Sequence, residues 1–332
     1  MKRKIDLITG LLGAGKTTFI ASCAKRLAGR GEHICILAND YGAISVDRAF
    51  LLEELGDSCD IEMVVAGDAD CQRRRFRTKL ISFAMLGYDR VLVEPSGVFD
   101  VEEFYNILYD DPISGWYETG NVISVISADL PDHLTEGSEY MLTNQAATAG
   151  LIVVSKADLL PAGTDEAAVE ERIRAHLVRN AGTYHCSRDF SKAPMLFSRG
   201  KQMTDEDWDS VEHAGRVPAD MVHMTFQESG QFGSLFYFHI SRRKAEMEKL
   251  AETLLTDPER FGHVVRVKGF FTDPATGQWM ELNAVRGNVS ASPSPEEPSR
   301  QEEVIILVGE GMKEKEIGAL LGENRSVTDY SI

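Results

Sequence analysis

Residues 10–17 read Gly10-Leu-Leu-Gly13-Ala14-Gly15-Lys16-Thr17, the pattern G-x-x-x-x-G-K-[ST]. Glycines in such a loop let backbone N–H groups turn inward onto phosphate oxygens. A helix starting directly after it adds positive potential from its N-terminus. The chemistry therefore demands a strand before the loop and a helix behind it. The apolar run Ile5–Thr9 and the helical pattern Thr17–Ala28 supply both. Lys16 is spaced to reach the terminal phosphates, and the Thr17 hydroxyl to bind Mg²⁺. The residues expected on a nucleotide are Gly10, Gly13, Ala14, Gly15, Lys16, Thr17 and Thr18.

The pattern around the loop predicts an α/β fold. Candidate strands are Ile5–Thr9, His33–Ala38, Glu62–Val65, Arg90–Glu94, Val122–Ser127, Leu151–Val154 and Pro194–Phe197. Helical patterns fall near Thr17–Ala28, Arg73–Leu86, Ser138–Ala149 and Asp165–Arg179. Strands alternating with helices predict a P-loop NTPase domain over residues 1–200, a mostly parallel sheet with helices on both faces. Residues 201–216 are polar and acidic and read as a linker. Residues 217–332 read as a smaller α+β domain. Its strands are expected near Met221–Phe226, Leu235–Ser241, His263–Phe271, Gln278–Asn283 and Val304–Val308, its helices at Arg243–Leu255 and Lys313–Leu321. The Ser-, Pro- and Glu-rich stretch Ala291–Glu303 reads as a flexible, solvated loop.

Composition narrows the partners. Thirty-five Lys and Arg against 52 Asp and Glu give a net charge of −17. Nucleic-acid binding needs an excess of cations on one face, so neither nucleic acid nor an anionic membrane surface is expected. Five cysteines without a C-x-x-C pair indicate reduced thiols rather than a disulfide framework. Met1-Lys2-Arg3-Lys4 is basic and then apolar like a targeting segment, but Asp6 interrupts it and the glycine loop follows at once. It reads as the first strand of a cytoplasmic protein.

Arg90-Val-Leu-Val-Glu94 is an apolar strand ending in a carboxylate. A strand-end acid beside a phosphate loop holds Mg²⁺, usually through water, which makes Glu94 the candidate against a plain surface carboxylate. Asn39-Asp40-Tyr41-Gly42 also follows a strand, and Asp40 there could help bind Mg²⁺ or order water, against an ordinary Asx turn. Lys16, Asp40 and Glu94 are thus the catalytic candidates. Ser155-Lys156-Ala157-Asp158 follows the strand Leu151–Val154 and is similar to the N-K-x-D guanine motif. A carboxylate at Asp158 accepts from both the guanine N1–H and its exocyclic amine, a donor pair adenine lacks. The Lys156 stem would pack on the ring.

Together these residues resemble the CobW-like GTPases, relatives of the UreG and HypB metallochaperones. Thr9–Phe19, Asn39–Gly42 with Asp47, Glu94-Pro95-Ser96-Gly97, Gln145 and Ser155–Asp158 carry the likeness. Val267-Lys268-Gly269-Phe270, Trp279 and Val308-Gly309 extend it into the second domain. The resemblance implies GTP hydrolysis coupled to delivering a metal or metal cofactor to a client metalloprotein or corrinoid-type enzyme. It also admits a nucleotide-dependent homodimer, and Mg²⁺, Zn²⁺ or Co²⁺ as ions.

Two departures qualify it. The family's Asn is Ser155, which is shorter, so weaker guanine affinity or selectivity is expected. The family's C-x-C-C metal motif aligns with Gly67-Asp68-Ala69-Asp70-Cys71. Asp68, Asp70 and Cys71 would form a harder, weaker mixed site than thiolates. Three readings stay open: a rebuilt metal site, a loop that keeps only a switch role, or an ordinary thiol at Cys71. Arg73, Arg74, Arg75 and Arg77 form a basic knot at the expected start of a helix, where the dipole disfavours cations. It reads as a contact for an acidic client or a partner's phosphates, or as a solvated face. The competing functions are an ATP-dependent small-molecule kinase, a GTPase switch without metal binding, and a scaffold that binds nucleotide without hydrolysis. No arginine finger in cis is evident, so slow intrinsic hydrolysis is expected.

Overall fold

A computed structural model describes residues 2–40, 46–65, 69–95, 101–161, 163–198, 203–222, 233–294 and 303–322. The chain divides into two compact units, Met1–Asp40 with Phe50–Met224, and Tyr41–Ala49 with Thr225–Ile332.

The first unit is built on seven strands: β1 (Arg3–Thr9), β2 (Ile34–Asp40), β3 (Asp60–Val65), β4 (Arg90–Glu94), β5 (Tyr117–Ser127), β6 (Leu151–Ser155) and β7 (Met195–Phe197). They lie in the order β3-β2-β4-β1-β5-β6-β7, and every pairing is parallel. The helices are α1 (Lys16–Gly29), α2 (Val46–Leu55, counted with this unit from Phe50 on), α3 (Ala69–Leu86), α4 (Val101–Leu108), α5 (Ile113–Trp116), α6 (Glu136–Ala147), α7 (Glu166–Thr183) and α8 (Asp205–Glu212). A parallel sheet buried on both faces needs apolar residues on both sides of each strand. Leu7, Val91, Val93, Cys35 and Leu37 accordingly share one cluster with Leu80, Phe83 and Phe104. Ile8, Leu92, Ile34 and Ile36 share another with Phe19, Ile20 and Leu27 of α1. Each fully buried aliphatic chain contributes about 1.5–3 kcal/mol.

The strand edges agree with the sequence reading to within a few residues, except at β5, which starts five residues earlier than expected, at Tyr117. The helices α2, α4 and α5 were not anticipated. Residues 201–216, expected to be a linker, contain α8, which packs on the first unit. Its Val211 joins the α1 cluster, Trp208 stacks on Phe19 with centroids 6.2 Å apart, and Glu212 accepts from Arg26 Nε at 2.8 Å. The basic knot is also shifted. Because α3 begins at Ala69, Arg73, Arg74 and Arg75 sit a turn inside the helix, where the dipole penalty has largely fallen away.

The second unit holds β8 (Gly233–Phe238), β9 (His263–Thr272), β10 (Trp279–Val285), β11 (Asn288–Pro293) and β12 (Val304–Glu310), an antiparallel sheet in the order β11-β10-β9-β12-β8. The helices are α9 (Lys244–Thr256), α10 (Pro258–Phe261) and α11 (Glu314–Leu321). Met247, Leu250, Ala251, Leu254 and Leu255 follow helical spacing and pack with Ile317 and Leu321 over Val267, Phe271 and Leu282. At Gly269, with φ +153°, a Cβ would lie 1.9 Å from the Val304 carbonyl oxygen, so only glycine lets β9 and β12 approach. Two expectations are corrected. Ala291–Pro293, read as the start of a solvated loop, belongs to β11 and buries Ala291. Of the strand expected at Met221–Phe226, Met221 and Val222 are not in a strand, and the rest lies outside the described residues.

Candidate functional site

All strands of the first sheet are parallel, so the loops that follow them gather at one rim. That rim is where an open α/β sheet binds its ligands. β1 leads into the glycine loop, where Gly10, Gly13 and Gly15 have φ of 143°, 74° and 87°. A Cβ on Gly10 would meet the Val125 carbonyl oxygen at 2.2 Å, which fixes the loop against β5. Thr9 anchors the entry: its hydroxyl reaches the Gln145 and Ile123 carbonyls at 2.8 and 3.2 Å. The Ala14 N–H donates to the Leu11 carbonyl at 3.1 Å, closing a turn. The Lys16 side chain is buried, and its ammonium donates to the Gly10 and Leu11 carbonyls at 2.9 and 3.2 Å. The ammonium is thereby held inside the curl of the loop.

β4 pairs with β1 in the register Leu7↔Val93, so Glu94 ends its strand beside the one that enters the loop. The Thr17 hydroxyl donates to Glu94 Oε1 at 2.8 Å, and Glu94 is 6% exposed. A hydroxyl and a carboxylate held together are hard oxygen donors, the set that suits Mg²⁺ beside phosphate rather than a soft metal. The donor chemistry fits the ion that the loop implies.

β6 lies on the other side of β5, and its last residue is Ser155. The Ser155 hydroxyl donates to the Ala14 carbonyl and also approaches the Ile126 carbonyl at 3.3 Å. Lys156 adopts a left-handed backbone, φ 58° and ψ 22°, at about 1 kcal/mol for a residue with a side chain. A one-turn helix, Ala157–Leu159, then presents Asp158 exposed. Thr18 is exposed on the first turn of α1. Glycine loop, Thr17–Glu94 pair and Ser155–Asp158 therefore share one rim.

The side chains of Asp40, Asp70 and Cys71 lie outside the described residues. Asp40 enters as the last residue of β2, and Asp70 and Cys71 as backbone of α3; Asp68 lies outside the described residues. Ala14 and Thr9 were expected in the loop, but two of their contacts were not: the Ala14 carbonyl accepts from Ser155, and the Thr9 hydroxyl clamps β5 and α6. Nothing in their residue types marks them, since backbone groups and strand-end hydroxyls carry no distinctive pattern. Among the described residues, no helix is long and apolar enough to cross a membrane.

A glycine loop between strand and helix, with a strand-end acid beside it, defines a P-loop nucleotide-binding protein. The match goes further: residues 4–181 fit the CobW/HypB/UreG nucleotide-binding domain, and residues 237–324 the cobalamin synthesis protein cobW C-terminal domain. The chain belongs to the CobW/HypB/UreG family. It is 25% identical over 158 residues to the zinc chaperone YeiR of Escherichia coli (strain K12), 47% of each chain, so it spans about half the length of that relative. It is 24% identical over 304 residues to the zinc chaperone CobW of Pseudomonas aeruginosa, 82% of this chain and 78% of that one. Among solved structures, Zn(II)-bound YjiA GTPase from E. coli aligns over 98% of this chain and 99% of its own, at 16% identity and a TM-score of 0.41.

Proposed function

We infer that this protein is a Mg²⁺-dependent GTPase that couples nucleotide state to the handling of a metal ion, with zinc the leading cargo. The Thr17–Glu94 hydrogen bond at 2.8 Å, beside the glycine loop, is the observation that carries the hydrolase reading. Ser155 and Asp158 at the same rim carry the guanine reading. Zinc comes from the names of the two zinc chaperones that the chain resembles.

In this reading Lys16 exchanges its two carbonyl partners for β- and γ-phosphate oxygens when GTP enters. Bound Mg²⁺ would be held by Thr17 and, through water, by Glu94, and would neutralise phosphate charge. Glu94 fixes the Thr17 hydroxyl before nucleotide arrives. Asp40 at the end of β2 orients water. The Gly10–Gly15 N–H groups act as fixed donors, so positioning and electrostatics supply most of the acceleration. Asp158 selects guanine. Asp68, Asp70 and Cys71 are proposed to receive the metal, and the second unit to recognise a client protein. A soft thiolate beside two carboxylates suits Zn²⁺ better than Mg²⁺, with Co²⁺ the second choice.

Calorimetric titration tests this. Metal-free protein should bind Mg²⁺–GTPγS, then one Zn²⁺, and Asp68→Ala/Cys71→Ala should lose only the second event. Nucleotide binding without zinc uptake would leave a GTPase switch with another cargo. Binding of the ATP analogue in preference to the guanine one would overturn the assignment in favour of a kinase.

A further inference from the structure

The phosphate loop follows the end of β1. At the opposite rim of the same sheet, where β1 and β5 begin, lies a cleft of about 310 Å³. Its floor is apolar: Leu108 and Tyr117 line it, and both are buried. One wall is Tyr109, which is 57% exposed. Its ring stacks on Tyr105, with centroids 6.0 Å apart and planes 14° from parallel. A ring braced by a second ring offers a fixed flat surface at little cost in side-chain entropy.

Two cations line the cleft, Lys2 and Arg216. Neither forms an ion pair among the described residues. The Lys2 ammonium donates to the Ser114 carbonyl at 2.6 Å. The Arg216 guanidinium lies 5.6 Å from the Tyr105 ring centre. Both partners are neutral, so they fix the cations without cancelling their charge. The backbone at Arg216 is also held. It bridges Ala149, and the next residue, Val217, donates its N–H to the Thr148 carbonyl at 3.0 Å. The Tyr105 hydroxyl donates to the Thr148 hydroxyl at 3.1 Å, which fixes the ring beneath the guanidinium. This chain has 52 acidic side chains for 35 basic ones, so carboxylate partners are plentiful. Two fixed cations without one, in a single cleft, make a local positive potential that draws an anion from solution. Glu118 and Thr119, at the start of β5, complete the lining. Two cations against one carboxylate leave the cleft net positive.

We propose that this cleft is a second ligand site, for a small aromatic carboxylate with a hydrogen-bond donor on its ring. The carboxylate lies between Lys2 and Arg216, which donates to it through its planar fork. The ring stacks on Tyr109 over the apolar floor, and the donor reaches Glu118. The small net charge suits a monoanion. A nucleotide or other polyphosphate carries more negative charge than the cleft balances, and Glu118 repels it. The site is remote from the phosphate loop and does not rest on the GTPase reading.

The test is a ligand-observed NMR titration of the full chain with para-hydroxybenzoate. Para-cresol lacks the carboxylate, acetate lacks the ring, and benzylamine reverses the charge. Para-hydroxybenzoate should bind once per chain, with a Kd of about 1 mM or tighter, and each control should bind roughly tenfold more weakly or worse. Lys2→Ala/Arg216→Gln should weaken para-hydroxybenzoate by a similar factor, and Arg216→Lys, which keeps the charge, should lose less. Tyr109→Ala changes an exposed side chain and should also weaken it, so the site stays testable if the arginine variant fails to fold. Saturating GTPγS should leave the affinity unchanged. Cresol or acetate binding as tightly as para-hydroxybenzoate overturns the proposed ligand class. Unchanged affinity in the folded variants, displacement by GTPγS, or no binding of para-hydroxybenzoate overturns the site.

Discussion

The Ser155 hydroxyl donates to the Ala14 carbonyl, so the residue that ends β6 holds the phosphate loop directly. The Gly15 Cα faces the same side chain, since a Cβ there would lie 3.5 Å from the Ser155 oxygen. Base loop and phosphate loop are thereby one mechanical unit. Removing a buried hydroxyl that makes one good hydrogen bond costs about 1 kcal/mol. Ser155→Ala should weaken fluorescent GTP binding roughly fivefold while leaving the circular dichroism spectrum unchanged. Equal affinity would mean that the brace contributes nothing to binding.

Asp158 is exposed at the end of that unit, where its carboxylate has acceptors only. Asp158→Asn replaces one acceptor by a donor. Xanthine carries a carbonyl where guanine carries its amine, so the variant should prefer xanthosine to guanosine nucleotides by tenfold or more, about 1.4 kcal/mol. Competition titrations with GTP, XTP and ATP read this. An unchanged order of preference would remove Asp158 from the base site.

The Thr17–Glu94 pair predicts a different signature. Thr17→Ala deletes a hydroxyl ligand without altering the glycine loop, so Mg²⁺ should no longer strengthen GTP binding while metal-free binding persists. Glu94→Gln keeps the shape and an acceptor but removes the charge. It should spare nucleotide affinity and lower turnover by 10²-fold or more, the scale of losing one electrostatic contact. Titrations with and without EDTA separate the two. A Thr17→Ala protein that still responds fully to Mg²⁺ would place the ion elsewhere.

The sequence was most legible where chemistry is local. The glycine loop, the strand end at Glu94 and the Ser155–Asp158 turn are short patterns of residue type, and the fold brings them to one rim. Short elements were not legible. α8 buries only Val211, and its acidic residues hid it, although Thr204 and Asp207 form a capping box that was there to be read. α4 buries Val101, Phe104, Ile107 and Leu108, but eight residues give little periodicity. β11 alternates Ser with small apolar residues next to a Pro- and Glu-rich stretch, so composition outweighed its pairing with β10. Ser155, shorter than the Asn of the related motif, still reaches the phosphate loop because β6 ends close to Ala14.

Arg188 shows how the turn from α6 into β6 is held. It is 7% exposed, and one guanidinium nitrogen donates to the carbonyls of Ala146, Ala147 and Ala149 at the end of α6. The group also lies 5.1 Å from the Phe190 ring centre. Burial lowers its pKa, so the carbonyls must compensate the charge. Arg188→Ala takes a donor from three carbonyls, of which Ala146 keeps the Thr148 and Ala149 N–H groups, and should cost about 2–4 kcal/mol. Melting should fall by roughly 5–10 °C for a unit of this size. A shift within 1 °C would show that water replaces the guanidinium.

The thiols give the sharpest test of the metal reading. Burial raises the pKa of Cys23, Cys35 and Cys186, and it pushes Cys59 up to about 11. At pH 8 each is therefore almost wholly in the unreactive thiol form. A metal-binding thiol behaves oppositely, because the ion binds the thiolate and blocks it. Limited iodoacetamide labelling read by peptide mass should modify Cys71 first, and stoichiometric Zn²⁺ with Mg²⁺–GTPγS should suppress that label. The other four should stay slow in both conditions. Raising the pH toward 11 should bring Cys59 forward before Cys23 and Cys35, whose burial raises them further. Labelling of Cys71 that ignores zinc would leave the residue an ordinary thiol and take the metal away from this loop.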